Sequence, residues 1–145
     1  MEQTLMLIKP DGVATGHIGD VISRLERRQF TITALKVVQK ATTAQLTAHY
    51  ADKVNEAFFP GLVSYMQSGP LVALIVSGTD VVHACHQMAG ATKPSEALPG
   101  TIRGDFGRLW DDGAIKNVVH SSDRIEAAAH EIDIWFPELS ELTES

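Results

Sequence analysis

The sequence predicts an α/β (α+β) domain with a ferredoxin-like βαββαβ core. The expected form is a four-stranded antiparallel sheet with helices on one face, added helical pieces, and a long loop before the last strand. Three observations carry this. Thr4–Ile8 and Leu71–Val76 are short apolar runs, as strands buried on both faces show. Phe30–Val38 and Asn117–His120 are β-branched segments of strand length. Stretches with helical periodicity fall between them, giving the order β-α-β-α-β-α-loop-β-α.

Each element has its own signal. Pro10 and Gly12 end the first strand in a turn, leaving Lys9 as a cation at a buried strand end. Ile18, Val21, Ile22 and Leu25 form the apolar stripe of a helix of about three turns, with Arg24, Arg27 and Arg28 opposite. Thr42-Thr43 opens a helix carrying Leu46 and Tyr50. Phe58–Met66 is expected as a hairpin of short helices with Pro60 at a helix start. Thr79–Met88 suits a helix capped by Thr79 or Asp80, with Val81, Val82, Cys85 and Met88 inward and His83 and His86 on the polar side. Periodicity then disappears from Gly90 to Lys116. A loop of that length inside a compact domain is usually functional, and it holds Thr92, Lys93, Thr101, Arg103 and Arg108, hydroxyls and cations suited to phosphate oxygens. The last strand leads into a helix from Asp123 to Phe136, with Ser122 or Asp123 as cap and Glu126 at capping-box spacing. Its expected buried face is Ile125, Ala128, Ala129, Ile132 and Phe136, and the acidic tail 137–145 is expected over the surface.

Composition bounds the function. A chain of 145 residues is long enough for a hydrophobic core and short for two domains, so a single domain over 1–145 is expected. A net charge of −6 argues against sequence-independent nucleic-acid binding, yet leaves room for a small basic pocket. The single cysteine, Cys85, allows no intrachain disulfide. No secretory pattern or bilayer-length apolar run is present, so a cytoplasmic location without membrane contact is expected.

The residues most suited to chemistry converge on His120, placed at a strand end beside a helix N-terminus, where a histidine meets anions readily. His83 and His86 share a helix face, but two ligands are too few for a structural zinc site. Neither a P-loop nor a GxGxxG turn occurs.

Seven segments, in order along nearly the whole chain, resemble nucleoside diphosphate kinases. They are Ile8-Lys9-Pro10-Asp11-Gly12, Phe58-Phe59-Pro60-Gly61-Leu62, Tyr65-Met66 with Ser68-Gly69-Pro70, Gly90-Ala91-Thr92-Lys93-Pro94, Pro99–Phe106, Asn117-Val118-Val119-His120, and Ser122-Asp123. The resemblance implies a ping-pong phosphotransferase. A nucleoside triphosphate gives its terminal phosphate to His120, and the phosphohistidine passes it to a nucleoside diphosphate. It implies that Glu131 orients His120 with support from Ser122, and that Lys9 and Tyr50 lie near the transferring group. Lys9 and Asn117 meet the sugar hydroxyls, Thr92 and Arg103 bind the inner phosphates, and Phe58, supported by Leu62, stacks on the base. Mg²⁺ is implied as cofactor through the nucleotide phosphates, with no metal held by side chains. Self-association as a tetramer or hexamer is implied as well.

Three departures from the family pattern stand out. His86 occupies a position where many members carry arginine, Ser121 replaces the glycine after the histidine, and the segment between Arg103 and His120 is a few residues longer. A serine at 121 adds strain if that residue needs positive φ. The alternative reading is a catalytically weakened nucleotide-binding regulatory module on the same fold.

Overall fold

The computed structural model describes residues 1–111 and 115–139. Four strands form one antiparallel sheet: β1 (Gln3–Ile8), β2 (Thr31–Val38), β3 (Leu71–Ser77) and β6 (Val119–Ser121), in the order β2-β3-β1-β6. The two central strands, β1 and β3, are the most apolar, as strands flanked on both sides must be. Two-residue strands β4 (Arg108–Leu109) and β5 (Ile115–Lys116) pair separately inside the long loop. Asp112 and Gly113 of that loop, and residues 140–145 of the acidic tail, lie outside the described residues.

Alternation along β1 divides the core. Met6 and Ile8 face one cluster with Val21 and Leu25 of α2 (Ile18–Arg27) and Val81 and Cys85 of α5 (Val81–Ala89). Leu5 and Leu7 face the other, with Leu46 of α3 (Thr43–His49), Met66 of α4 (Phe59–Met66) and Trp135 of α7 (Ile125–Trp135). Helices therefore cover both faces of the sheet, and not one face with loose additions. The reason is that β1 and β3 are apolar on both sides and need two covers.

Local chemistry explains most boundaries. Thr42 and Gln45 form a reciprocal capping box at α3. Pro10 starts a short helix, α1 (Pro10–Ala14), where a turn was expected, because proline suits a first helical position. Phe58–Met66 holds one helix, preceded by a 3₁₀ turn at Ala51–Lys53, and not a hairpin of helices. The long loop contains α6 (Ile102–Phe106), capped by the Thr101 hydroxyl, which accepts from the Gly104 N–H.

Two expected caps are absent. Neither Ser122, Asp123 nor Glu126 caps α7, whose cap position is Arg124 with no side-chain bond. The buried face of α7 is Ala128, Glu131 and Trp135, while Ile125 is 58% exposed and Ala129 is exposed. Apolar spacing favoured Ile125 and Ala129, but the indole of Trp135 offers far more area to bury. At α5, Asp80 sits in a left-handed conformation and makes no cap bond. The Glu2 carboxylate, from the start of the chain, accepts from the Val82 N–H at 3.0 Å instead. No helix among the described residues is long and apolar enough to cross a membrane.

Glu2→Ala is therefore expected to lower stability by about 1 kcal/mol, a fall of about 3 °C in the thermal midpoint. Asp80→Asn, which keeps a residue tolerant of the left-handed conformation, should change it little. Thermal unfolding followed by circular dichroism checks both.

Candidate active site

Sheet register brings the histidine out. His120 lies opposite Leu7 in the β1–β6 pair, so its side chain emerges on the face covered by α3 and α7. Strand pairing begins at Val119 rather than Asn117, and His120 is central in this short strand, not at its end beside a helix start.

On that face Glu131, from the second turn of α7, reaches back. Its Oε1 accepts from His120 Nε2 at 2.7 Å and from the Ser122 hydroxyl at 2.6 Å. The Ser122 hydroxyl also lies 3.3 Å from the Leu5 backbone oxygen and nitrogen, tying the carboxylate to the central strand. Burial alone raises the Glu131 pKa, but the hydrogen bonds from His120 and Ser122 outweigh it and hold the carboxyl below its usual range. Burial lowers the pKa of His120. Glu131 opposes this, and the cations Lys9 and Arg103 reinforce it. The imidazole is thus neutral, protonated on Nε2 by its bond to a carboxylate, with the lone pair on Nδ1.

Cations stand beside it. Lys9 Nζ donates to Asn117 Oδ1 at 2.9 Å, and Asn117 Nδ2 donates to the Thr92 carbonyl at 3.0 Å. Burial, with Arg103 nearby, brings the Lys9 pKa down to about 8, which leaves the ammonium charged at neutral pH. Arg103 is 6% exposed; its terminal nitrogens donate to the carbonyls of Gly90 (2.7 Å) and Val119 (2.8 Å), and its Nε has no hydrogen-bond partner among the described residues. Gly90 is in a left-handed conformation and presses on Thr101, where a Cβ would meet Oγ1 at 2.5 Å. The Tyr50 hydroxyl is buried without a hydrogen-bond partner among the described residues, and burial raises its pKa.

The structure thus gathers Lys9, Asn117, Arg103, His120, Ser122 and Glu131, with Tyr50 near Glu131 and Arg103 and the Thr92 backbone in the network. Phe58 and Leu62 sit at the start of α4; no hydrogen bond or ring contact links them to the cluster among the described residues. Phe58 is 55% exposed, and Leu62 packs on the second core. His86 and His83 are exposed on α5 as expected, and line a cavity of about 320 Å³ with Glu2, Asp80, Asp123 and Arg124. Ser121 is an ordinary strand residue paired with Met6. The left-handed residue of this stretch is Val118, with φ of 71°, so serine at 121 brings no backbone strain.

Sequence reasoning missed His49. Its ring meets His120 edge-on with centroids 4.4 Å apart, and burial, chiefly, takes its pKa down to about 3. The available signal was its place three residues after Leu46, on the core-facing side of α3. Ligating atoms of His49, His120 and Glu131 lie within 4.8 Å of one another. However, Trp135 Nε1 donates to His49 Nδ1 at 3.0 Å, which puts the His49 proton on Nε2. His120 is thus engaged by Glu131 and His49 by Trp135, while the two histidine rings meet only edge-on.

Comparison with known proteins identifies the family. The sequence model of the family "Nucleoside diphosphate kinase" matches residues 2–140. The nucleoside diphosphate kinase of Streptococcus agalactiae serotype III is 50% identical over 137 residues, covering 94% of this chain and 99% of that protein. That of Exiguobacterium sibiricum is 48% identical, covering 94% and 95%. Among solved structures, a halophilic nucleoside diphosphate kinase from Halobacterium salinarum in complex with CDP has a TM-score of 0.85 at 39% identity, covering 93% of this chain and 87% of that one. An apo nucleoside diphosphate kinase from Encephalitozoon cuniculi has a TM-score of 0.86 at 35% identity, covering 94% and 89%. The chain belongs to the nucleoside diphosphate kinase family.

Proposed function

We propose that this chain transfers the terminal phosphate of a nucleoside triphosphate to a nucleoside diphosphate by a ping-pong route, with His120 Nδ1 as nucleophile. The observation that carries the reading is the His120–Glu131 bond, which leaves Nδ1 unprotonated on a neutral imidazole. Nδ1 attacks the terminal phosphorus, the bond to the bridging oxygen breaks, and the nucleoside diphosphate leaves with the electron pair. The ring becomes cationic as the N–P bond forms, and the Glu131 carboxylate stabilises that charge through Nε2–H. A second nucleoside diphosphate then attacks the phosphohistidine in the reverse sense.

Phosphoryl transfer depends mainly on position and charge. Lys9, still an ammonium at pH 7, faces the transferring group and the sugar hydroxyls together with Asn117. Arg103 and Thr92 take the inner phosphates, and Arg103 Nε, without a hydrogen-bond partner among the described residues, fits this role as a donor; the Tyr50 hydroxyl, likewise without one among them, fits a donor near the transferring group. The one carboxylate in the cluster, Glu131, is already engaged by His120 and Ser122. That donor set suits Mg²⁺ carried on the nucleotide phosphates rather than held by side chains, and the bound ion supplies charge neutralisation there. The cavity that His86 lines holds Arg124 together with the carboxylates Glu2, Asp80, Asp123 and Glu126, and shares no lining residue with the cluster around His120. With the network assembled and Ser121 unstrained, the weakened regulatory module is not favoured.

Self-association fits the exposed apolar residues Leu35 and Val37 on the edge strand β2. A single domain over 1–145, a cytoplasmic location and the absence of membrane or nucleic-acid partners complete the reading.

Incubation with Mg²⁺ and terminally labelled ATP is expected to give an acid-labile, alkali-stable phosphoprotein, whose label passes to added unlabelled nucleoside diphosphate. Equal labelling of His120→Ala rules out the mechanism. The depressed pKa of His120 predicts that the rate of labelling persists below pH 6.5 and falls only as pH drops through the lower value. Glu131→Gln keeps the acceptor but removes the charge that raises this pKa. It should slow labelling by at least about ten-fold and move the acid limb to still lower pH; an unmoved limb contradicts the assignment. Phe58→Ala is expected to raise KM for purine and pyrimidine nucleotides alike, by about ten-fold, since a stacked base contributes roughly 1–3 kcal/mol. A loss confined to one base excludes simple stacking.

A further inference from the structure

We propose that Asp11 is a positioning residue for phosphoryl transfer: its carboxylate holds Val118 in the left-handed conformation that sets Asn117 and His120 on one site. The proposal rests on the reading of His120 as nucleophile.

Val118 is β-branched and has φ of 71°, a conformation such residues avoid and keep only where their surroundings impose it. Both of its peptide groups are held. Its N–H donates to Asp11 Oδ2 at 3.0 Å, and its carbonyl accepts from the Lys9 N–H at 2.8 Å. Its side chain is 1% exposed in the first core cluster. The backbone of α1 comes so close that a Cβ on Gly12 would stand 2.9 Å from both the Val118 carbonyl oxygen and Cγ1. Asp11 is fixed in turn by Tyr65, whose hydroxyl donates to Asp11 Oδ1 and accepts from the Asp11 N–H.

What flanks Val118 gives the constraint its purpose. On one side, Asn117 bridges Lys9 and Thr92. On the other, the Val119 carbonyl accepts from Arg103 and the next residue is His120. Relaxing Val118 to negative φ redirects the chain between these neighbours. The Asn117 bridge and the His120–Leu7 register cannot then both persist. Strain at this residue is therefore the means by which a cation-holding amide and a nucleophile, three residues apart, come to face one substrate. The Asp11 carboxylate bonds Tyr65 and the Val118 N–H and makes no hydrogen bond to His120 among the described residues, so it acts through the Val118 backbone.

Single-turnover labelling at His120, KM and the thermal midpoint, measured on the full chain and its variants, decide the matter. Asp11→Ala is expected to slow labelling about ten- to a hundred-fold with a much smaller change in KM. Asp11→Asn should recover most of that loss, because its amide oxygen still accepts from Val118 and its amide nitrogen can donate to Tyr65. Adding Val118→Gly to Asp11→Ala should also recover rate, since glycine takes the left-handed conformation without a carboxylate to hold it. Such recovery marks a positioning role, which loss of stability alone does not produce. The proposal is overturned if Asp11→Ala lowers only the thermal midpoint, or if Asp11→Ala/Val118→Gly is as slow as Asp11→Ala or does not fold. An unsubstituted chain that takes no label overturns the His120 reading and this proposal with it. Labelling that is normal in the unsubstituted chain and unchanged in Asp11→Ala overturns this proposal alone.

Discussion

A carboxylate taken out of water must be compensated, and the way Glu131 is compensated organises this protein. It sits 8% exposed on α7 and accepts from His120 on β6 and from Ser122 just beyond it. Ser122 is bound to the backbone of Leu5 on β1. One buried charge thus joins the last helix, the last strand and the central strand. Removing a single partner of such a group costs roughly 3–5 kcal/mol, because it strands the charge. The same arrangement fixes which nitrogen of His120 carries the proton. Fold and reactivity are therefore set by one carboxylate, and a change there is expected to affect both.

The sheet's two covers explain why the site can be charged on one side and dry on the other. Alternation sends Val119 into the first core and His120 into the space between α3 and α7. There the ring is 20% exposed, walled by His49, which Trp135 holds in place. Burial keeps both imidazoles neutral, so the local positive charge comes from Lys9 and Arg103. A chain of net charge −6 offers little long-range attraction to nucleotides. Attraction is confined to the pocket, where low solvent access makes each cation more effective than on the surface.

Much of this was legible in the sequence, for identifiable reasons. The two central strands announce themselves because both faces are buried, and α2 because a helix with one wet side has a clear period. The two covers were not legible, since an apolar run records burial without saying what covers it. Two-residue strands such as Arg108–Leu109 have no period to detect, and α6 hides among glycines that elsewhere mark loops. Capping of α5 by Glu2 spans 80 positions, beyond any local rule. At the site, Lys9, Arg103, Asn117 and His120 lie within the segments that carry the family resemblance, and Glu131 was implied by that resemblance although it lies outside them. His49 escaped because its contribution is a ring contact and a wall, and these depend on where α3 docks. Strain at Ser121 was conditional on positive φ there, and the residue of this stretch with positive φ is Val118. Such conformations favour glycine, and at Val118 the bonds to Asp11 and Lys9 add to a local one from the Val119 N–H to the Asn117 carbonyl at 2.7 Å, none of which a valine in the sequence signals.

In the proposed reading, the two ends of the substrate meet opposite kinds of surface. The phosphate end enters a network whose members are mutually bonded and largely buried, so a misplaced group is costly there. The base end meets an exposed ring, Phe58, at the N-cap position of a separate helix. A ring face takes any base by its π surface and reads no hydrogen-bonding edge. Discrimination then resides in the phosphates and sugar, and indifference in the base. An enzyme built this way recognises what all nucleotides share, and the physical reason is the division between a rigid polar cluster and a solvent-facing platform.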